Sequence, residues 1–243
     1  MFSRRKPKCG GDVEYVETMF AYLYDAYGKP DFKTKVNPLL KHYTDKEFLK
    51  ILNQISNELG YTIANIDLDY KENFLEEEFP SSFLWEENNK KLDLYITPFG
   101  QQNKDIALFE ITLFLFDIKI IRDGLITFEE ELYQDLNGFY KPFLVCSAIF
   151  FGFGDILLSR YFVTGYYVTE LNEKREVKYY VPLDLYTMIY AYSIIYAVQF
   201  CSLGDFTFKT PINFKNEIRK EIEVCLKYIQ NGNSFNYQRW KDN

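Results

Sequence analysis

Two carboxylates on one predicted helix are the side chains whose type and spacing most directly suggest chemistry. Glu110 and Asp117 stand seven residues apart in the apolar stretch 106–122, so both lie on one face of that helix. Partly buried carboxylates can act as general acids or as metal ligands, because burial and nearby charges shift their pKa. They can also lie on the solvent face of the helix or pair with Lys119, Arg122 or Arg160, and we favour this second interpretation.

A second acidic group follows the first along the chain. Its members are Glu129, Glu130, Glu131 and Asp135. Residues 129–131 of this group, together with Glu110 and Asp117, could surround a hard cation such as Mg²⁺ or Mn²⁺, which prefers oxygen ligands. In the first turn of a helix, however, acidic residues simply complement the helix dipole, and we favour that interpretation.

Histidine and cysteine usage excludes several common kinds of site. The chain has a single histidine, His42, so a zinc site that needs two histidines cannot form. A Ser/His/Asp triad or a Cys/His pair would have to be built around that one residue, which sequence context predicts to lie in an exposed loop. The cysteines, Cys9, Cys146, Cys201 and Cys225, contain no C-x-x-C pair and are predicted to be reduced structural thiols.

The sequence F-F-G-F-G-D at residues 150–155 places two glycines and an acid at the end of a very apolar helix. It lacks both the G-x-G-x-x-G spacing and the preceding strand of a dinucleotide-binding loop. We therefore predict that the glycines either let another helix approach closely or mark a helix break. In the second case Asp155 would cap the next helix.

The elements in the first part of the chain are predicted to be two helices followed by strands. Asp12 can cap a helix that ends at Gly28, and Thr44 with Glu47 forms a capping-box pattern before a helix that ends at Gly60. Apolar and polar residues alternate within 61–100, which predicts short strands, and the acidic stretch 76–89 is predicted to be a surface loop. The apolar stripe predicted for the first helix is Val16, Phe20, Leu23 and Tyr27.

Helical periodicity returns after residue 100. A capping box at Thr127 predicts a short helix that ends at 137–138, and Pro142 is predicted to start the next one. Residues 161–182 are predicted to form either a β-hairpin or a long irregular excursion of the chain, and the sequence does not decide between these alternatives. Residues 183–200 form a core helix, Asn213 caps an amphipathic helix, and the tail 232–243 is predicted to fray.

Charge and hydropathy limit the possible partners. The 243 residues include 28 Lys and Arg against 35 Asp and Glu, for a formal charge of −7. This sign disfavours nucleic acid and favours a basic partner. The apolar runs 143–153 and 185–200 are shorter than the roughly 20 residues that a membrane span needs, so we predict no membrane insertion. No apolar region of a signal peptide follows the basic start, which predicts a cytoplasmic protein.

Several of these stretches together resemble an uncharacterised bacterial family of zincin-like metallopeptidases. The similarity covers about residues 106–230, and its order and spacing of helices match. In that family an H-E-x-x-H helix is followed by an acidic helix, a helix with a G-F-G element, a Tyr- and Ala-rich helix and a final helix. The corresponding stretches here are L-F-E-I-T-L-F, T-F-E-E-E-L-Y-Q-D-L, A-I-F-F-G-F-G-D-I-L-L, M-I-Y-A-Y-S-I-I-Y-A and C-L-K-Y-I.

The chain departs from that family at the positions that would bind zinc. Phe109 and Leu113 occupy the histidine positions, only Glu110 is kept, and the later acidic ligand falls near Val145. Phe and Leu have no lone pairs to offer a metal, and without zinc there is no acidified water for Glu110 to deprotonate. The resemblance thus implies a zincin-shaped scaffold whose vestigial motif positions are Phe109, Glu110 and Leu113.

Together these patterns predict one domain over residues 1–243, of the α+β class and mainly α-helical. It would comprise N-terminal helices and short strands (1–100), a zincin-like helical core (101–231) and a tail (232–243). The predicted function is non-catalytic binding of another protein without a cofactor, for example as an immunity or antitoxin-type protein that captures a basic effector. The alternative is a carboxylate-based, metal-dependent hydrolase that uses Glu110 and Asp117. The sequence leaves the oligomeric state open.

Overall fold

In the computed structural model, the described residues are 6–9, 12–29, 44–67, 81–86, 91–125, 137–159, 161, 164–168, 174–178, 183–201, 208 and 214–241. They form a mainly helical structure with short strands, as the sequence predicts. The helices are α1 (Asp12–Tyr27), α2 (Asp45–Glu58), α3 (Pro98–Gln102), α4 (Lys104–Arg122), α5 (Asn137–Ala148), α6 (Gly154–Ser159), α7 (Leu185–Phe200), α8 (Asn216–Tyr228) and α9 (Phe235–Lys241). π-Helical turns lie at Ile149–Phe153 and Ile229–Asn233, and the strands are β1 (Thr62–Asp67), β2 (Ser81–Glu86), β3 (Lys91–Ile96), β4 (Thr164–Val168) and β5 (Lys174–Lys178).

The chain divides into two compact units made of interleaved segments. The first unit comprises Met1–Thr34, Leu125–Ser159 and Pro182–Asn243, and the second comprises Lys35–Gly124 and Arg160–Val181. The predicted sections 1–100 and 101–231 do not coincide with these units, because α4 belongs to the second unit and the later helices belong to the first. The single domain over 1–243 stays a prediction.

Helix α7 forms the centre of the first unit. Every residue from Thr187 to Ala197 is buried, so the helix is covered on all sides. Helix α1 packs against it, and its predicted stripe is confirmed at Val16, Phe20 and Leu23, which are fully buried. A helix that is apolar all round has no solvent face and must be surrounded by other elements.

The prediction that the C-terminal tail frays is wrong over residues 235–241, because these residues form helix α9. Trp240 is fully buried, and its ring stacks on Phe20 at 5.8 Å and on Tyr24 at 5.3 Å between ring centroids. Asn236 donates its side-chain amide to the Glu17 carboxylate at 2.7 Å. The sequence signal was the spacing of Tyr237 and Trp240, three residues apart, which places both rings on one side of a helix.

The second unit contains two small sheets. Strand β3 pairs in parallel with β1 and antiparallel with β2, which confirms the predicted strands and gives the order β1-β3-β2. The surface loop predicted at 76–89 is therefore wrong over Ser81–Glu86, where aromatic residues of high strand propensity extend the sheet. Strands β4 and β5 pair antiparallel, so of the two alternatives left open for 161–182 the described strands fit the hairpin.

Helix α2 begins and ends as the sequence predicts. The Thr44 hydroxyl accepts a hydrogen bond from the Glu47 backbone N–H, and the Glu47 carboxylate accepts one from the Thr44 N–H at 2.9 Å. The chain turns at Gly60, whose φ is +80°. Arg122 then holds this end of the helix, since its guanidinium lies over the Tyr61 ring at 4.8 Å and donates to the Leu59 carbonyl.

Of the helix starts predicted at Thr127, Pro142 and Asn213, the structure tests the one at Pro142. Pro142 lies inside α5 and does not start it, because the helix already begins at Asn137. A proline at this sixth helical position cannot donate to the carbonyl of residue 138, and its ring crowds that carbonyl, so the helix forms despite a local cost. The capping positions Thr127 and Asn213 lie outside the described residues.

One helical stretch within the described residues, Tyr140–Leu158, is long and apolar enough by length and composition to cross a membrane. It is longer than the apolar run predicted from the sequence, because α5, the first π-helical turn and α6 follow one another directly. The core helix of a soluble protein meets the same criterion, and 78% of the stretch is buried inside the protein. The absence of membrane insertion stays a prediction.

The capping box of α2 gives a direct stability test. Thr44→Ala should lower the free energy of unfolding by about 1 kcal/mol, because the Glu47 N–H loses its acceptor. Urea titration measures this change. The matched control is Thr18→Ala in α1, where the hydroxyl bonds only the Glu14 carbonyl within the helix, at 2.9 Å. The control should change stability by less than about 0.5 kcal/mol, and an equal effect of both variants would contradict the capping role.

Candidate functional site

The two carboxylates predicted from the sequence lie on α4 but do not converge. Glu110 and Asp117 are both partly buried, and each makes a polar or electrostatic contact within the protein. A separation of seven residues is about two turns, or about 10 Å along the helix axis. Oxygen ligands bind hard cations at about 2.0–2.6 Å, so the two side chains cannot readily share one ion.

The two positions of the same helix that the family resemblance aligns with zinc-binding histidines hold packed apolar side chains. Phe109 and Leu113 are 2% and 5% exposed, beside the partly buried Glu110. Helix α4 packs against α2, α3 and β2 in the second unit. The side chains at these positions therefore belong to the core of that unit.

Other candidate ligands are not brought together where the structure describes them. Among the described residues, no group of three or more His, Cys, Asp or Glu side chains could hold a metal ion. His42 and the acidic group Glu129, Glu130, Glu131 and Asp135 lie outside those residues. All four cysteines are buried and free of disulfides, and burial raises the pKa of the Cys146 thiol to about 12.

The glycine-rich segment at 150–155 forms the most unusual backbone in the first unit. The π-helical turn Ile149–Phe153 contains Gly152 in the left-handed region, with φ of +89°. Gly154 starts α6 so close to α7 that an added Cβ would lie 2.7 Å from Cδ2 of Tyr192. Both predicted roles of the glycines, a helix break and a close helix approach, are therefore present, because only glycine meets either requirement without strain or collision.

Asp155 follows these glycines and places a carboxylate against the same tyrosine. The Tyr192 hydroxyl donates a hydrogen bond to Asp155, while the fully buried Oδ1 atom has no hydrogen-bond partner. Burial raises the pKa of Asp155 to about 6, and the bond from Tyr192 opposes that rise. Burial and the adjacent carboxylate raise the pKa of Tyr192 well above its usual value.

Three aromatic rings pack around the ring of Tyr192. Its ring centroid lies 6.2 Å from Tyr196, 6.4 Å from Phe208 and 5.9 Å from Phe214. The guanidinium of Arg219 lies over the Phe208 ring at 5.7 Å. This apolar wall keeps water from one side of the Asp155–Tyr192 pair and contributes to the low polarity of its surroundings.

Burial brings the pKa of Asp155 closer to neutral pH than that of an ordinary aspartate. A buried carboxyl group with a perturbed pKa and a specific partner is a candidate functional group. The sequence flagged this segment but assigned Asp155 to a helix cap, which is wrong: it lies inside the first turn of α6. Only the position of α7 reveals its environment. Comparisons of the chain with protein-family models, curated proteins and solved structures found no match.

Gly154→Ala tests the close approach of α6 to α7. At φ −59° and ψ −32°, Gly154 has helical geometry, where alanine would ordinarily stabilise the fold by about 0.5–1 kcal/mol. The collision with Tyr192 should reverse the sign and lower the free energy of unfolding by about 1–3 kcal/mol. Urea denaturation measures the change, and a variant more stable than the parent would contradict the contact.

Proposed function

We propose that this protein is a non-catalytic binding protein for another, basic protein, on a degenerate metallopeptidase-like scaffold. One concrete form is an immunity or antitoxin-type protein in the cytoplasm. The observation that carries the proposal is the burial of Phe109 and Leu113, which puts hydrocarbon where the family resemblance calls for zinc ligands. A site that cannot hold a metal has no activated water to deliver.

Charge supports a basic partner. The formal charge of −7 favours the approach of positively charged partners, because complementary charge raises association rates and disfavours partners of the same sign. Exposed carboxylates occur on several helices of the first unit, including Glu14 and Asp25 on α1 and Glu223 on α8.

Exposed aromatic rings support a protein contact. Tyr22, Phe200 and Phe235 are 46%, 55% and 65% exposed, although the core of the first unit holds many buried rings. Aromatic side chains at the surface are enriched among the residues that carry binding energy in protein interfaces. Phe235, at the start of α9, presents the largest exposed fraction of these three.

The metal content of the purified protein separates this proposal from a carboxylate-based hydrolase. We expect no stoichiometric metal by elemental analysis and no rise in the melting temperature with Zn²⁺, Mg²⁺ or Mn²⁺. An ion that binds the folded state at a hundred times its Kd would stabilise it by about 2.7 kcal/mol, which a melting curve resolves. A stabilising ion would overturn the proposal.

Glu110→Gln identifies the site if an ion does bind. If Glu110 and Asp117 form the hydrolase site, the substitution should abolish the ion-dependent shift. The matched control is Glu58→Gln at the exposed end of α2, which should retain it. Loss of the shift in the first variant alone would make the hydrolase the working function.

Affinity purification at two salt concentrations tests the binding function itself. The tagged protein should retain a protein of basic composition at about 50 mM salt and release it at about 500 mM, because screening weakens attraction between exposed charges. Recovery of an acidic protein, or of one whose retention ignores salt, would contradict the proposal.

Phe235→Ser should weaken the recovered complex about tenfold or more, since loss of an aromatic anchor typically costs 1–2 kcal/mol or more. Titration calorimetry with the purified partner measures the change in Kd. The matched control is Gln238→Ser, also exposed on α9, which should leave the Kd within about twofold. Equal affinities for parent and Phe235→Ser would remove α9 from the interface.

A further inference from the structure

The contact between α6 and α7 buries a carboxyl group whose ionised form is poorly satisfied. When Asp155 is ionised, Oδ1 is a buried anionic oxygen with no hydrogen-bond partner in the described part of the chain. When it is protonated, the charge disappears, and the acid proton can be donated to the Tyr192 hydroxyl oxygen. The ionised form costs more, because burying a charge is more unfavourable than burying a neutral polar group.

Few other ionisable groups face this carboxyl. In the described part of the chain, α6 packs on the first π-helical turn and on α7. The turn, I-F-F-G-F, has no ionisable side chain, and α7 contributes Tyr192, with Tyr196 behind it. The remaining tyrosines on α7 point elsewhere, since Tyr186 bonds Glu217 and Tyr190 bonds Glu17. Protonation of Asp155 is therefore the main change in charge at this contact near neutral pH.

The backbone next to Asp155 has a kink at which rotation costs little. Gly152 holds a left-handed conformation at the kink between α5 and α6, and glycine adopts left- and right-handed conformations about equally readily. Helix α6 is short, at six residues, and joins α5 only through this turn. A small rotation at Gly152 would draw Asp155 away from Tyr192 and into water.

We propose that the α6–α7 contact is a pH-sensitive latch, closed when Asp155 is protonated and opened by rotation about Gly152 when it ionises. The closed form is favoured fully below about pH 4, where the carboxyl is protonated in both forms. The pKa of Asp155 is about 6 in the closed form and returns to its ordinary value of 3.8 in the open form. The free-energy advantage of the closed form therefore falls as the pH rises from about 4 towards 6. Above that value the opening constant levels off.

Hydrogen exchange followed by mass spectrometry tests the latch in the intact protein. Peptides covering 154–159 should show opening that increases about tenfold between pH 5 and pH 7.5, after correction for the intrinsic exchange rate. Peptides from α8, on the other side of the aromatic cluster, should keep constant protection. This internal comparison needs no variant, so it holds even if substitutions at the contact disturb folding.

Two variants test whether Asp155 is the carboxyl group that causes the pH dependence. Asp155→Asn cannot ionise and should give protection of α6 that is independent of pH. Asp25→Asn, which removes an exposed carboxylate paired with Arg239 at 2.7 Å, should keep the parental dependence. A flat profile in the parent, the same slope in Asp155→Asn, or an equal loss of protection in α6 and α8 would each overturn the latch.

Discussion

The first unit depends on one constraint, which is that helix α7 is buried along almost its whole length. Surrounding a helix on all sides removes a large apolar area from water, and this is the main favourable contribution to folding. The same burial withdraws the polar side chains between Thr187 and Ala197 from solvent. Each must then find a partner inside the protein, and the arrangement of the neighbouring elements follows from that need.

Those partners come from distant parts of the sequence. Tyr190 donates to Glu17 of α1 at 2.8 Å, and Glu17 also accepts hydrogen bonds from Asn236 of α9. The Ser193 hydroxyl bonds back to the Ile189 carbonyl within the helix. Tyr192 bonds Asp155, and Oδ1 of that carboxyl group has no hydrogen-bond partner in the part of the chain that the structure describes. Most polar groups along α7 are therefore well satisfied, which makes the Asp155 contact the weak point of the packing.

Helix α4 shows the opposite outcome for a predicted site. Its sequence carries acids at a spacing that could support chemistry, yet Phe109, next to the first acid, and Leu113, between the two, are packed in the core. Glu110 and Asp117 lie about two turns apart along the helix, and each has contacts of its own. Function depends on side chains that converge on one point, and two acids on one helix face do not satisfy that condition by themselves.

The sequence alone determined the local features of this protein. The capping box at Thr44, the stripe of α1, the buried character of α7 and the two roles of the glycines at 152 and 154 all follow from short-range rules of helix geometry. It could not reveal that residues 81–86 join a sheet, that the tail folds back as α9, or that Asp155 is buried. Each of these depends on a partner far along the chain: β3, the rings of α1 and the Tyr192 hydroxyl. A residue's polarity and spacing are encoded locally, whereas its burial and pKa are set by whatever tertiary structure places against it.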